Sequence, residues 1–135
     1  MTRQHMQIGE AAERVGLSIR TIRHYEDVGL VTPSARSDGG FRLYTEPDLD
    51  RLLVVKRMKP LGFTLDEMRD LLAILDALAA GQATEHELAA LRDRLARFGT
   101  AAQARVQALR DQLHTAEGFA QQIRDQINLH GPTTS

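Results

Sequence analysis

Residues 18–31 read SIRTIRHYEDVGLV, a stretch that predicts a short helix with one unusually polar face. Ser18 is a favourable N-cap residue, and the helix is expected to run to about Val28, where Gly29 ends it. The apolar side chains of one face are those of Ile22 and Tyr25, and the polar ones of another are those of Arg20, Arg23, His24 and Asp27. A fold alone does not require so many polar groups in so short a helix, so this polar face is the first candidate for a functional surface.

A second short helix is predicted just upstream, in the sequence IGEAAERVG of residues 8–16. Ala12 and Val15 fall on one side of it, and Gly16 provides a C-terminal cap. Two short helices joined by a tight turn form the helix-turn-helix pattern. Residues 8–28 therefore predict a helix-turn-helix.

The sequence SARSDGGFRLYT, residues 34–45, predicts a small two-stranded wing. The DGG tripeptide in its middle is a strong hairpin-turn signal. Residues 41–44 alternate with period two, and residues 34–36 provide the partner strand. We expect Phe41 and Leu43 to be core residues that hold the wing against the next helix.

Two further helices are predicted after the wing. Thr45 caps a third helix that Pro60 ends, and the capping box TLDE at residues 64–67 begins a fourth helix that continues to about Ala80. The inward side chains expected of the third helix are Leu49, Leu52, Leu53, Val55 and Met58. Those expected of the fourth helix are Leu65, Met68, Leu71, Leu72, Leu75 and Leu78.

From Thr84 to about Leu129 the sequence contains no proline and predicts one long helix. Apolar residues recur along it at spacings of three and four, which is the pattern of a coiled-coil seam. Because the chain contains no second helix of similar length, we expect a second copy to cover the seam and predict a homodimer. The side chains expected to carry this contact are Leu88, Leu91, Leu95, Phe98, Val106, Leu109, Leu113 and Ile123.

Composition and charge limit the classes of function that remain. The 135 residues include no cysteine, which excludes disulfides, thiolate metal sites and thiol redox chemistry. No apolar run approaches the length of a membrane span, so a cytoplasmic protein without membrane contact is expected. The net charge is −1. Residues 1–59 carry ten Arg and Lys against eight Asp and Glu, or +2, whereas residues 60–135 carry seven against ten, or −3.

Neither an enzyme active site nor a metal site is predicted. None of the four serines, at positions 18, 34, 37 and 135, has a plausible histidine base and carboxylate around it. The carboxylates of Glu26, Asp27, Glu85 and Glu87 are interpreted as ordinary exposed helix charges. No two of the five histidines have the i, i+4 spacing of a helical metal site, so no metal and no cofactor are expected.

Three segments together resemble the MerR family of bacterial transcription regulators: IGEAAERVGLSIRTIRHYEDVGLV, RSDGGFRLYTEPDLDRL and LGFTLDEMRDLL. The match is unbroken from about Gln7 to Leu75. The resemblance implies a mostly α fold, in which a winged helix-turn-helix head with a two-stranded wing precedes a long helix that forms an antiparallel dimeric coiled coil. The implied boundaries are residues 5–75 for the DNA-binding head, whose helices continue to about residue 80, residues 84–129 for the dimerisation helix, and residues 130–135 for a flexible tail.

The resemblance also implies a function. It predicts a homodimer that binds a pseudo-palindromic site in double-stranded promoter DNA, with RNA polymerase as a partner, and controls transcription by distorting that DNA. The candidate DNA-binding residues carried over by position are Ser18, Arg20, Thr21, Arg23, His24 and Tyr25 in the recognition helix and Arg36, Arg42 and Tyr44 in the wing. Arginine suits this role because it binds guanine bidentately or phosphate in a fork.

Several alternatives stay open at this point. Arg20 and Arg23 could instead form a solvated helix face. Tyr25 could serve packing alone or could also reach a phosphate with its hydroxyl, and Arg42 could pair across the hairpin with the region of Asp38. The runner-up function is an architectural or partner-binding DNA protein with the same head and no effector response. The effector itself is unknown from the sequence, since the end of the chain lacks the cysteines that the family's metal and redox sensors use.

Overall fold

The predicted helix-turn-helix is present in the computed structural model, which describes residues 5–132. Its two helices are α1, Ile8–Val15, and α2, Ile19–Asp27. Gly16 ends α1 in the left-handed conformation, with a φ of 70°, and Ser18 is the N-cap of α2. Both residues act where the sequence predicts, because caps depend on neighbouring residues alone.

The rest of the described chain contains three short strands and three longer helices. These are β1 (Met6–Gln7), β2 (Ala35–Arg36), β3 (Arg42–Tyr44), α3 (Glu46–Met58), α4 (Leu65–Ala80) and α5 (Glu85–Leu129). A 3-10 turn at Lys59–Leu61 separates α3 from α4. The chain divides into two units, one up to Leu95 and one from Ala96 onward. The predicted fold class, mostly α with a small sheet and a long last helix, is confirmed.

The wing has three strands where the sequence predicts two. β2 and β3 pair as an antiparallel hairpin in which Arg36 is opposite Arg42, and β1 pairs with the other edge of β3, with Met6 opposite Tyr44. The sheet order is therefore β1-β3-β2. β1 was not predicted because two residues are too few to show an alternating pattern, and no turn connects them to the hairpin.

The side of the wing that faces inward differs from the expectation. Tyr44 is completely buried, whereas Phe41 is 62% exposed and Leu43 is half-buried. The prediction that Phe41 is a core residue is therefore wrong. The physical reason is that the Arg42 and Tyr44 side of β3 faces α2, so the alternating Phe41 side is turned outward.

The core of α3 and α4 is close to the prediction. The buried apolar positions in these helices are Leu49, Leu52, Val55, Met58, Met68, Leu72 and Ile74, and the half-buried ones include Leu53, Leu71, Leu75 and Leu78. Two assignments are corrected: Leu65 is 37% exposed, and Ile74 is buried although it was not predicted to be. Leu65 is the first residue of α4, and the buried positions of that helix begin one turn later, at Met68. The covered arc is broad enough to include the neighbouring helical row through Ile74.

A buried carboxylate connects the loop before the wing to the start of α3. Asp48 is only 5% exposed, and its Oδ2 accepts hydrogen bonds from the Ser34 Oγ at 2.6 Å and the Ser34 N–H at 3.2 Å. The same oxygen accepts the N–H of Thr45 at 2.9 Å. These bonds compensate the loss of hydration that burial of a carboxylate causes.

α5 is a single helix of 45 residues, as predicted, and none of its residues is fully buried. The predicted tail of residues 130–135 begins within the described range, but its last three residues lie outside it. Within residues 5–132, no helix is both long enough and apolar enough to cross a membrane.

Candidate nucleic-acid interface

The C-terminal end of α1, the first helix of the helix-turn-helix, is held by a lysine of α3. The Nζ of Lys56 donates to the carbonyl oxygen of Val15, the last residue of α1, at 2.7 Å. A cation at this end of a helix satisfies a free carbonyl and complements the helix dipole. A Cβ at position 16 would lie 2.8 Å from the Lys56 Nζ and would displace the end of that side chain, and the φ of 70° at this position itself favours glycine.

The C-terminal end of α2 is held in the same manner. Arg69 on α4 donates to the carbonyl oxygen of Val28, and Arg51 on α3 donates to that of Leu30 at 3.2 Å. Arg51 also pairs with Asp76. Together with Lys56, these two arginines therefore hold backbone carbonyls at the end of α1 and in residues 28–30, which directly follow α2.

The exposed face of α2 carries the side chains that the sequence selects. Arg20, Arg23 and His24 are exposed, whereas Ile22 and Tyr25 are 0% and 3% exposed. Neither Arg20 nor Arg23 makes a side-chain hydrogen bond or ion pair to any residue in the range 5–132. Both guanidinium groups are therefore available to a ligand outside the chain.

The remaining candidates on α2 have local contacts. The Oγ of Ser18 accepts the N–H of Thr21 at 3.0 Å, and the two hydroxyl oxygens are 2.7 Å apart. These contacts give both side chains a role in starting the helix. The ring of Tyr25 lies in the core, tilted against His24 with ring centres 5.9 Å apart.

Glu26 connects the recognition helix to the wing, a role that the sequence analysis missed. Its carboxylate is 14% exposed, and Oε1 accepts the Nε–H of Arg42 at 2.7 Å while Oε2 accepts the hydroxyl of Tyr44 at 3.1 Å. Nη2 of Arg36 lies 4.0 Å from Oε1. Interpreting Glu26 as an ordinary exposed charge was therefore wrong. Its spacing of four residues from the buried Ile22 is the signal that could have placed it on the inner side of α2.

The wing candidates thus divide into two groups. Arg36 is exposed and also donates to the Gly40 carbonyl at 3.2 Å, and Arg42 is partly exposed. Tyr44 is fully buried, which corrects its assignment to the DNA-facing surface. Arg42 pairs with Glu26 rather than with the Asp38 region, and this hydrogen bond raises the pKa of its guanidinium.

Burial raises the pKa of Tyr44 to about 12, and the hydrogen bond and negative charge of Glu26 act in the same direction. Because the pKa of Tyr44 is higher in the folded protein than in the unfolded chain, its protonated form stabilises the fold. This contribution is fully present below the ordinary tyrosine pKa of about 10 and is lost as the pH rises from about 10 to about 12. The sequence has two tyrosines, so the Tyr25→Phe variant keeps Tyr44 alone. We expect its tyrosinate absorbance to appear with a midpoint near 12. Adding Glu26→Gln should lower that midpoint, and an ordinary midpoint in Tyr25→Phe itself would contradict the buried hydrogen bond.

No group of three or more metal-binding side chains lies close together in the part of the chain that the structure describes. Instead, α2 presents the unpaired side chains of Arg20 and Arg23. The hairpin beside it carries Arg36 and Arg42, whose guanidinium groups lie against Glu26. Such an arrangement suits a polyanion, because arginine binds phosphates and guanine edges in a planar fork.

Comparisons with known proteins agree with this geometry. The family model described as "MerR HTH family regulatory protein" matches residues 6–74, and the model described as "MerR, DNA binding" matches residues 49–116. An uncharacterised HTH-type transcriptional regulator of Pseudomonas aeruginosa is 41% identical over 105 residues, which are 67% of this chain and 80% of that protein.

Two further relatives have a described role. The mercuric resistance operon regulatory protein of Bacillus cereus is 44% identical over 70 residues, which are 52% of this chain and 53% of that protein. This chain thus spans about half the length of that relative. The solved N-terminus of MtaN, the Bacillus subtilis multidrug transporter activator, has a TM-score of 0.52 and 30% identity and covers 90% of this chain and 97% of that one.

Proposed function

Because this chain belongs to the MerR family of helix-turn-helix regulatory proteins, we propose that it is a transcription regulator that binds promoter DNA as a homodimer. The observation that carries this proposal is the exposed face of α2, where Arg20 and Arg23 have no partner within the described range. An unpaired cationic face on the second helix of a helix-turn-helix, next to a hairpin, suits the major groove of DNA.

Within this surface we assign contacts with base edges and contacts with phosphates to different side chains. Arg20 is the second residue of α2 and Arg23 is the fifth of its nine, one turn further on, and both side chains are exposed. Because a helix N-terminus favours phosphate, we infer that Arg20 binds phosphate there and that Arg23 reads a base. The wing arginines Arg36 and Arg42 would hold the flanking backbone, which positions the protein but carries little sequence information.

The proposed dimer rests on α5, a single helix over Glu85–Leu129, most of which belongs to the unit from Ala96 onward. Its apolar seam is exposed, with Leu109, Leu113 and Ile123 at 47%, 58% and 44% exposure. A helix with an uncovered seam gains stability when a second copy buries it. We propose that residues 84–129 form this contact in an antiparallel arrangement and that residues 5–75 form the DNA-binding head.

On promoter DNA, we propose that the dimer controls transcription by bending or untwisting the duplex in the presence of RNA polymerase. Such a deformation costs several kcal/mol, about 1 to 6 for a smooth bend, and the contacts of both heads would offset it. The place of action would be the bacterial cytoplasm, on the nucleoid. No observation in the structure favours the architectural alternative.

Selection of binding sites from a library of randomised duplexes tests this function. We expect a pseudo-palindromic sequence to be enriched, because two identical heads in a symmetric dimer read identical half-sites. A protein that only shapes DNA would show little sequence preference, set by the deformability of the duplex, and would enrich no palindrome. That outcome would replace the proposed regulator by the architectural alternative.

The same library tests which side chains contact bases and which contact phosphates. We expect Arg23→Ala to weaken specific binding by about 1 to 3 kcal/mol and to relax the preference at one symmetric pair of base positions. Arg42→Ala is the matched control, since losing a phosphate contact should weaken all sequences alike. If Arg42→Ala changed the preferred sequence while Arg23→Ala left it intact, the assigned roles of helix and wing would be reversed.

A further inference from the structure

Both oxygens of the Glu26 carboxylate accept a hydrogen bond from the wing. Oε1 accepts from Arg42 and Oε2 accepts from Tyr44, so each oxygen holds a different side chain of β3. Tyr44 is buried and Arg42 is partly exposed, so the two bonds fasten one residue in the core and one at the surface. The side chain of Glu26, which is only 14% exposed, thereby connects α2 to the wing.

The geometry of the Arg42 bond leaves most of its guanidinium unused. Arg42 donates to Glu26 through Nε, at 2.7 Å, and its two Nη groups make no hydrogen bond to residues in the range 5–132. An arginine has five N–H donors in one plane, so a bond at Nε fixes that plane and leaves the four Nη N–H donors, two of which form the outer edge. The outer edge is the one that binds a phosphate in a fork.

We propose that Glu26 is a positioning residue for DNA binding, which holds Arg42 by its Nε so that the Nη groups meet a backbone phosphate beside the recognition helix. The proposal deepens the proposed function and rests on it. A free arginine side chain loses rotamer freedom when it binds a phosphate, whereas a side chain already held by Glu26 loses less.

The charge balance around Glu26 permits this role. The carboxylate is 14% exposed and lies between the guanidinium groups of Arg42 and Arg36, at 2.7 and 4.0 Å. These three side chains together carry a charge of +1, so the cluster still attracts a phosphate. The hydrogen bond that raises the pKa of Arg42 also keeps its guanidinium charged.

A double-mutant cycle in DNA affinity tests the proposal with the full chain and duplex DNA of mixed sequence as the probe. We expect Glu26→Ala to weaken binding about tenfold per dimer, because two arginines must then be ordered on binding. Glu26→Gln should lose less, since its amide oxygen still accepts from Nε. In the Arg42→Ala background, Glu26→Ala should have no further effect, because the side chain through which Glu26 acts is gone.

The salt dependence separates the two residues. Arg42→Ala should reduce the salt slope of binding by about one unit per subunit, because a phosphate contact is lost. Glu26→Ala should leave the slope unchanged, because Arg42 keeps its charge. Asp27→Asn is the matched charge control on the same helix, where Asp27 is exposed. It should bind as tightly as the wild type or more tightly, since it loses a negative charge near the DNA.

Two results would overturn the proposal. If Glu26→Ala bound more tightly with a steeper salt slope, Glu26 would mask Arg42 rather than position it. If Glu26→Ala and Glu26→Gln changed thermal unfolding but neither affinity nor slope, the role would be structural only. A wild type that bound no duplex in a salt-dependent way would overturn the proposed function, and this inference with it.

Discussion

Leu109→Asp is expected to turn the proposed homodimer into monomers that no longer hold a palindromic duplex. Leu109 lies on the apolar seam of α5 and is 47% exposed in the single chain. If a second copy covers this position, an aspartate there places an unpaired charge in an apolar contact, which costs several kcal/mol, or roughly the whole stability of a small interface. Sedimentation equilibrium at micromolar concentration should show a mass near 15.0 kDa for the variant and twice that for the wild type.

Ala108→Asp provides the matched control for this prediction. It introduces the same charge one residue earlier on an exposed side of α5 that is not part of the seam. It should therefore remain a dimer and keep its DNA affinity. A wild type that sediments as a folded monomer would contradict the dimer, and a dimer that survives Leu109→Asp would move the interface away from residues 84–129.

Helix ends were predictable because the groups that determine them are neighbours in the sequence. Ser18 and Thr64 cap the helices that follow them, and Gly16 and Gly81 end the helices before them with a positive φ. Each of these effects involves residues within one turn. No knowledge of the tertiary fold is needed for them.

The inward side of the wing was not predictable in the same way. Period-two alternation establishes that Phe41 and Tyr44 point to opposite sides of β3, but it does not determine which side is covered. That choice depends on Glu26, which lies on another element, and on Met6, which pairs across from Tyr44. Both residues are far from the hairpin in sequence, so a pattern within residues 34–45 does not contain the answer.

The candidate surface also has one part that follows from local sequence and one part that depends on tertiary packing. The exposure of Arg20 and Arg23 follows from helical periodicity and agrees with the structure. The use of Lys56, Arg51 and Arg69 to hold backbone carbonyls depends on how α3 and α4 pack against the helix-turn-helix. A count of basic residues in the sequence does not separate these cations from those that remain available to DNA.

This separation explains why DNA affinity should depend steeply on salt although the chain carries a net charge of −1. The acidic excess belongs to residues 60–135, which carry seven Arg and Lys against ten Asp and Glu. The proposed contact surface instead presents Arg20, Arg23 and the wing arginines. Because each phosphate contact releases condensed counterions, the local charge of the surface determines the salt dependence, and the net charge does not.

If the dimer neutralises about six to ten phosphates, affinity should fall by about three to five decades between 50 and 200 mM salt. Fluorescence anisotropy of a labelled duplex across that range measures the slope. Arg57→Ala is an informative comparison, since Arg57 is an exposed basic residue on α3 outside the proposed surface. It removes the same charge as Arg20→Ala, yet only Arg20→Ala should reduce the slope, by about one unit per subunit. A flat response of the wild type, or equal slopes for the two variants, would mean that the exposed face of α2 is not the face that meets the DNA backbone.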